Sequence, residues 1–479
     1  MPHKIKMQKS IKWHPEIIPV AVLLLIFGYL VYSHPVTTSV RTTLGYPVVQ
    51  YDAGPTHTYF IDSPINPINV SVHAAIYGTP TIYGGILYVT TMGNLTQLQQ
   101  SRYDLTNGTV SAIDMNTGAL LWKDTFPDQI MTQPITAKGL IVVGMSNNGE
   151  VPPQYYNNAE ALIGINMTTG KVVWNDTNGF GTPTGTDLAT PAYYNGLIIE
   201  PGMGTAIIYD ASNGAVVHTI STNLPDLLSS PLLINGTAYF GAGYASVYGF
   251  NSFNRNISGV PMNITSDERI FAVNIDSGNV IWQRRFINAG TGLNDICAAF
   301  SDGTIVAAYL YQSDYSNPTM VALNASTGDT LWELNETKYV QYSHLAMENI
   351  PSMSYGLNYT QNTLSPITLW NGTAYSDSNY LGYLFAVNIS TGKVLWATQT
   401  GQEEGNPNVF FGRYLIAVTD GGMIIILNAT NGNIINQKYI GLPHLASEPI
   451  ITKNYVILSG MNGRIFTIPL KSLIAQNNS

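Results

Sequence analysis

Charge is what this sequence has least of. Asp, Glu, Lys and Arg make up 10% of its 479 residues, where an ordinary soluble domain carries about a quarter. Tyr, Asn, Thr and Gly fill the surface instead. The small balance is acidic, with a formal net charge of −9, and no basic run follows the first few residues. A nucleic-acid partner is thereby excluded, because neutralising phosphates needs a basic face. Cysteine is nearly absent. The single Cys297 forbids any intramolecular disulfide, so the fold must be held by burial and by closure of its own architecture.

What is abundant is repetition. Leu384 to Trp396 reads as an apolar strand, a tight turn closed by Gly392, and a partner strand ending on Trp396. The strand is apolar on both faces, as a strand buried between layers must be, and Asn388, Ser390 and Gly392 supply the turn chemistry. The same unit recurs at Val110–Trp122, Leu162–Trp174, Ile207–His218, Ile270–Trp282, Val321–Trp332 and Met423–Asn436, while an eighth copy, Arg464–Leu470, stops after its first strand. Each is preceded by a fainter unit in which a Pro opens a short strand that turns at Gly or Asn. These begin at Pro80, Pro134, Pro191, Pro231, Pro366, Pro407 and Pro449, and one copy, from Ile296, lacks the Pro.

Four antiparallel strands per copy at a mean period of roughly 50 residues is the arithmetic of a β-propeller blade. The expected fold is all-β, an eight-bladed β-propeller of four-stranded antiparallel blades preceded by one N-terminal hydrophobic helix. Because the last blade lacks its closing strand, an N-terminal strand within Tyr46–Ala53 is expected to supply it. The expected organisation is a basic flank over 1–16, a signal peptide or membrane anchor over 17–33, a linker over 34–45, the propeller over 46–470 and a tail over 471–479.

Lys4, Lys6, Lys9 and Lys12 followed by the apolar run Ile17–Tyr32 form the pattern of an export signal or a single membrane anchor. The expected location is therefore extracytoplasmic, on the cell surface or secreted. Sequons at Asn69, Asn94, Asn107, Asn256, Asn263, Asn335 and Asn358, all read as loop positions, make N-glycans expected partners. Low charge on an exported chain also suits an acidic exterior.

In such a ring the turns between strands one and two, and between three and four, share one face. Here they are uniformly tight. Every long insertion falls on the opposite face, where function is expected. Connections between blades lead into the innermost strands, and carboxyls stand just before the strand openings: Asp128, Asp187, Asp226, Asp295, Glu403 with Glu404, and Glu448 beside His444. Such a circle could bind a cation, supply acid or base groups, or merely cap turns. Asp295 stands apart. It follows the Gly-rich stretch Asn288–Leu293, sits next to Asn294 in the one blade entry that has lost its Pro, and shares its loop with Arg284 and Arg285, which could hold an anion.

The repeat core, as in Ala112–Trp122, Ala272–Trp282, Ala322–Trp332 and Ala386–Trp396, resembles that of the pyrroloquinoline quinone (PQQ) enzyme superfamily. Of its branches, the chain looks most like the tetrathionate hydrolases of acidophilic sulfur oxidisers, in length, export signal, low charge and loop-rich face. That resemblance implies an extracytoplasmic hydrolase of a small sulfur oxyanion with no cofactor, an Asp acting as acid/base at the position matched by Asp295, and a small anionic substrate. Arg284, Arg285, Asn294, Asp187, Asp226, Glu403 and His444 are the expected substrate-binding set, and a homo-oligomer is left open. A carboxyl raised in pKa by burial can pass a proton in acid, where His344 or His444 would stay charged. The alternatives are a non-catalytic, surface-anchored binding platform and a PQQ oxidoreductase using calcium, although a lone cysteine cannot form the adjacent pair of the quinoprotein alcohol dehydrogenases.

Overall fold

The computed structural model describes residues 48, 50–54, 56–57, 59–93, 107–146, 160–176, 189–202, 204–224, 228–243, 268–286, 289–291, 298–311, 318–339, 366–378, 382–400, 408–419, 422–440 and 447–474, all within one compact unit, 44–479. The expected hydrophobic helix over 17–33 lies outside them, and no described helix is long and apolar enough to cross a membrane.

The described strands form eight separate sheets, one per blade, and in blades 1–4, 6 and 7 the four strands are neighbours in sequence order. Blade 1, from axis to rim, is Thr81–Tyr83, Ile86–Thr91, Thr109–Asp114 and Leu120–Thr125. The first strand is short and the third is buried along almost its whole length, as its apolar sequence requires between two neighbouring blades. The turns after strands one and three are stitched together, Met115 N–H donating to the Gly85 carbonyl at 3.1 Å. The same stitch joins Met167 to Gly139, Ala211 to Gly196, Ile275 to Gly236, Ala325 to Gly303 and Ile389 to Gly372. All tight turns therefore lie on one face.

The closing Trp of each repeat acts between blades. Between Ile113↔Leu120 and Ala112↔Trp122 the ladder slips by one residue, a β-bulge that turns the strand and re-aims the side chain. Trp122 Nε1–H donates to the Met167 carbonyl of blade 2 at 2.9 Å, and its indole lies so close over Gly170 (φ +72°) that a Cβ there would come within 2.6 Å of the ring. Gly is needed at this position twice over, for its positive φ and for the room it leaves. Trp174, Trp282, Trp332 and Trp396 repeat the bond to Ala211, Ala325, Ile389 and Ala429 at 2.7–3.0 Å. In blade 3 His218 takes the place of Trp and bonds the Asp276 carbonyl. In blade 7 Asn436 Nδ2 donates to Leu473 of the C-terminal helix Leu470–Ile474.

Closure comes from the N-terminal side, but not from the expected stretch. Asn69–Ser71 runs antiparallel to Arg464–Pro469 as the fourth strand of blade 8. Val70 faces the Gly118 turn of blade 1, the position that Trp holds elsewhere. Two sequons read as loops, Asn69 and Asn335, thus belong to strands.

The stretch expected to close the ring does something else. Val48, Gln50, Thr56 and Tyr59–Ile61 lie on the inner edges of the innermost strands, whose N–H groups a bare propeller would leave exposed along the axis. Thr136 N–H of blade 2 donates to the Val48 carbonyl at 2.6 Å, Leu369 N–H of blade 6 to Thr56 at 2.9 Å and Ile451 N–H of blade 8 to Tyr59 at 2.9 Å. Leu233 N–H of blade 4 donates to Gln50 Oε1 at 2.7 Å, and Ile82 N–H of blade 1 to the Tyr59 hydroxyl at 2.8 Å. Phe60–Ile61 then pairs in parallel with Ile451–Thr452. Asn454 in the tight turn of blade 8 holds Ile65 through both its amide groups, and the chain reaches the rim at Asn69. The stretch expected at the rim thus lines the axis, where N–H groups of the innermost strands bond it.

Candidate functional site on the loop-rich face

The buried carboxyls are distributed with a strong bias. Asp128, Glu160, Asp176, Glu200, Glu268, Glu336, Asp377 and Glu448 are all buried. Each sits where a strand begins or ends on the face opposite the tight turns: at the entry to blade 2 (Asp128) or blade 8 (Glu448), at the end of a second strand (Glu200, Asp377), at the start of a third (Glu160, Glu268) or at the end of a fourth (Asp176, Glu336). On the tight-turn face the acidic and amide side chains are turn caps. Asp114 Oδ1 accepts from the N–H of Asn116 and Thr117 at 2.9 and 3.0 Å. Asp210 does the same for Ser212, whose hydroxyl holds the Asp210 carboxyl below its usual range.

Burial raises the loop-face acids where it is least compensated. Asp128 accepts only the Gln129 N–H at 2.8 Å, its Oδ2 has no partner among the described residues, and desolvation lifts it to about 7. Glu336 accepts from Ser376 Oγ at 3.2 Å. Desolvation lifts it to about 8, with that hydroxyl pulling the other way. Next to Ser376 in sequence, Asp377 accepts from Asn408 Nδ2 at 3.0 Å, so carboxyls of blades 5 and 6 and an amide of blade 7 gather along one arc. Glu448, buried at the entry to blade 8, is lifted to about 7 by desolvation, opposed by a hydrogen bond from the Tyr51 hydroxyl. These three groups keep their protons up to near neutrality, where an ordinary carboxyl is ionised.

A belt of hydroxyls clasps the inner entries. Gln133 N–H donates to Thr190 Oγ1 at 3.1 Å, Thr190 N–H to Ser230 Oγ at 2.8 Å and Glu448 N–H to Thr79 Oγ1 at 2.9 Å, each bond crossing from one blade to the next. These bonds tie the entries of neighbouring blades together on the loop face.

Of the residues expected from sequence, Arg284 and Arg285 lie exposed on the outer strand of blade 4, opposite Ile270 and Arg269. Asp295, Asn294, Asp187, Asp226, Glu403 and His444 fall outside the described residues, as do Glu404 and His344. Part of the Gly-rich stretch is a short strand, Ala289–Thr291, added to the loop-face end of the second strand of blade 5 at Tyr311 and Leu310. Glu160, Asp176, Glu200, Glu268, Glu336 and Asp377 were not anticipated. Their signal was present in an acidic residue abutting an apolar strand, as in Ile198–Glu200, within a chain that spends charge so sparingly.

The family model described as "Outer membrane protein assembly factor BamB" matches residues 70–266 and again 266–475. The chain belongs to this family of PQQ-like propellers. It is 24% identical over 388 residues to "Tetrathionate hydrolase" of Acidithiobacillus ferrooxidans, covering 76% of this chain and 69% of that protein. It is also 24% identical over 407 residues to "Tetrathionate hydrolase" of Acidianus ambivalens, covering 76% and 68%. Among solved structures, BamB from Moraxella catarrhalis superposes with a TM-score of 0.55 at 17% identity, over 85% of this chain and 99% of that one, a likeness of fold alone. As for quinone and calcium, no three His, Cys, Asp or Glu among the described residues are grouped to hold a metal ion, and a single cysteine offers no adjacent pair. The described residues do not fit that group.

Proposed function

We propose that this protein is an extracytoplasmic hydrolase of a small sulfur oxyanion, tetrathionate or a close relative, acting on the loop-rich face without a bound quinone. The observation that carries the reading is the gathering of every described buried carboxyl onto that face, three of them holding protons into the neutral range. Such groups serve a reaction run in acid. The tetrathionate hydrolases it resembles over three quarters of its length supply the substrate class.

Asp295 is the proposed acid/base residue, at the blade entry that departs from the repeat, with Asn294, Asp187, Asp226, Glu403 and His444 around the substrate and Arg284 and Arg285 drawing anions from the rim. A dianion with sulfonate ends suits N–H and guanidinium donors, and cleavage of its S–S bond needs a proton for the departing sulfur. The N-terminal apolar run would export or tether the protein, and its sequons would carry glycans. The test is release of thiosulfate and sulfate from tetrathionate by the purified protein at about pH 3 and about pH 7. Turnover greater in acid, and lost in Asp295→Asn, is expected; no turnover at either pH overturns the reading.

The family's assembly-factor description favours the second reading, a binding platform without chemistry. An inert but correctly folded protein in this assay would support it.

A further inference from the structure

We propose that Glu448 is a proton donor of this site and that Tyr51, delivered by the axial segment, is its positioning residue. The inference rests on the hydrolase reading and deepens it.

Three observations converge on this pair. First, among Asp128, Glu336 and Glu448, the first two have no exposed surface while Glu448 retains 6%, and it is the one of the three whose carboxyl accepts from a group outside the blades, the Tyr51 hydroxyl. Second, Glu448 stands at the opening of an innermost strand, one residue before Pro449, and its backbone N–H is clasped by Thr79 of blade 1. The neighbouring Ser447 hydroxyl bonds Ser459 at 2.8 Å. The carboxyl therefore projects from backbone fixed on both sides. Third, its hydroxyl partner Tyr51 belongs to a short 3-10 turn, Tyr51–Ala53, that the ring architecture does not need for closure, since Asn69–Ser71 performs that task. The axial segment thus brings a phenol to this carboxyl in addition to filling the axis. Among the described residues, the titratable side chain packed against Tyr51 is His57, whose ring meets it edge-on at 5.4 Å. Burial lowers His57 to about 4, and its Nδ1 is engaged with the Ile367 carbonyl at 2.8 Å. His57 is neutral over the range in which Glu448 exchanges its proton.

In the step, the oxygen of one water bonds to a terminal sulfonate sulfur of tetrathionate as the adjacent S–S bond breaks. The bonding pair leaves with the three-sulfur monosulfonate fragment, which takes the Glu448 proton. One water proton returns to the Glu448 carboxylate and the other is released with the sulfate. The protonated fragment then sheds one neutral sulfur atom to give thiosulfate, so atoms and charge balance without an external oxidant or reductant.

The test combines a titration of isotope-labelled glutamate carboxyls by NMR with pH–rate profiles of tetrathionate consumption, on the full chain and on Glu448→Gln, Glu448→Asp and Tyr51→Phe. In Glu448→Gln the carboxyl titrating near neutrality should vanish and turnover should fall by about 100-fold, with Glu448→Asp restoring part of it. In Tyr51→Phe, losing a donor that favours the ionised form, both that titration and the alkaline limb of the rate profile should move to higher pH. A purely structural tyrosine would leave the limb where it is. Turnover undiminished in Glu448→Gln overturns the donor role while leaving the hydrolase reading in place, and an unmoved limb in Tyr51→Phe overturns the positioning role. A wild-type protein that shows the neutral titration yet consumes no tetrathionate overturns the hydrolase reading and the donor role with it.

Discussion

The two faces of the disc use the same residue types for opposite ends. On the tight-turn face, Asp114, Asp210 and Asn388 sit at a strand end, accept backbone N–H groups within two or three residues and face water. They cap turns. On the loop-rich face, Asp128, Glu336 and Glu448 also sit at strand ends, but they are buried and hold their protons toward neutrality. Position along a strand does not decide between these outcomes; burial does. Asp210 stands in water at its turn, whereas Asp128 and Glu336 have no exposed surface.

The sharpest way to break this contrast is activity. Asp295→Asn on the loop face should lower tetrathionate turnover by about 10²–10⁴-fold, while Asp210→Asn on the tight-turn face should leave it unchanged. Equal losses in steady-state assays would erase the distinction between faces. Next comes the scaffold between them. Trp332→Ala removes an indole packed over Gly392 and a 2.7 Å bond to Ile389, and should cost about 3 kcal/mol of stability in denaturant melts. Activity below the melting range should survive.

The third expectation concerns pH. The folded pKa values of Asp128, Glu336 and Glu448 lie above their ordinary ones, so the folded state binds more protons and stability falls as pH rises from about 4 to about 8. His57, lowered to about 4, acts the other way, contributing stability above its unfolded pKa that is lost as pH falls. Three raised acids outweigh one lowered base, and thermal melts should show a protein more stable in acid than at neutrality. Glu336→Gln keeps an acceptor for Ser376 and removes the charge, so it should flatten this slope by on the order of a few kcal/mol across that range. The smallest effect is a lost cap. Asn388→Ala deprives Thr391 of its acceptor and should cost about 1 kcal/mol, visible in the melting midpoint and absent from kinetics.

The blades were legible because their signals are local. A Pro opening, a Gly at positive φ and a Trp eleven or twelve residues after a strand start are each read within one repeat, and Trp122 to Gly170 shows how two such readings interlock. Face assignment followed from connection lengths. Closure was misplaced because Tyr46–Ala53 and Asn69–Ser71 look alike as strand candidates, and only the axis and the far end of the chain, through Thr136, Leu233 and Arg464, tell them apart. Most of the acid belt, six of its eight carboxyls, escaped for a related reason. Glu268 and Glu336 resemble surface residues in a linear reading, and it is tertiary packing that takes them out of water.

Because described residues between 48 and 71 bond blades 1, 2, 4, 6 and 8, this early stretch must wait for the last blade before either is satisfied. A chain crossing a membrane amino end first would keep its axial stretch and its rim strand both unmatched until Arg464–Pro469 follows. The circle is therefore assembled only on the side where the whole polypeptide has arrived, and its contents are sealed in the same event.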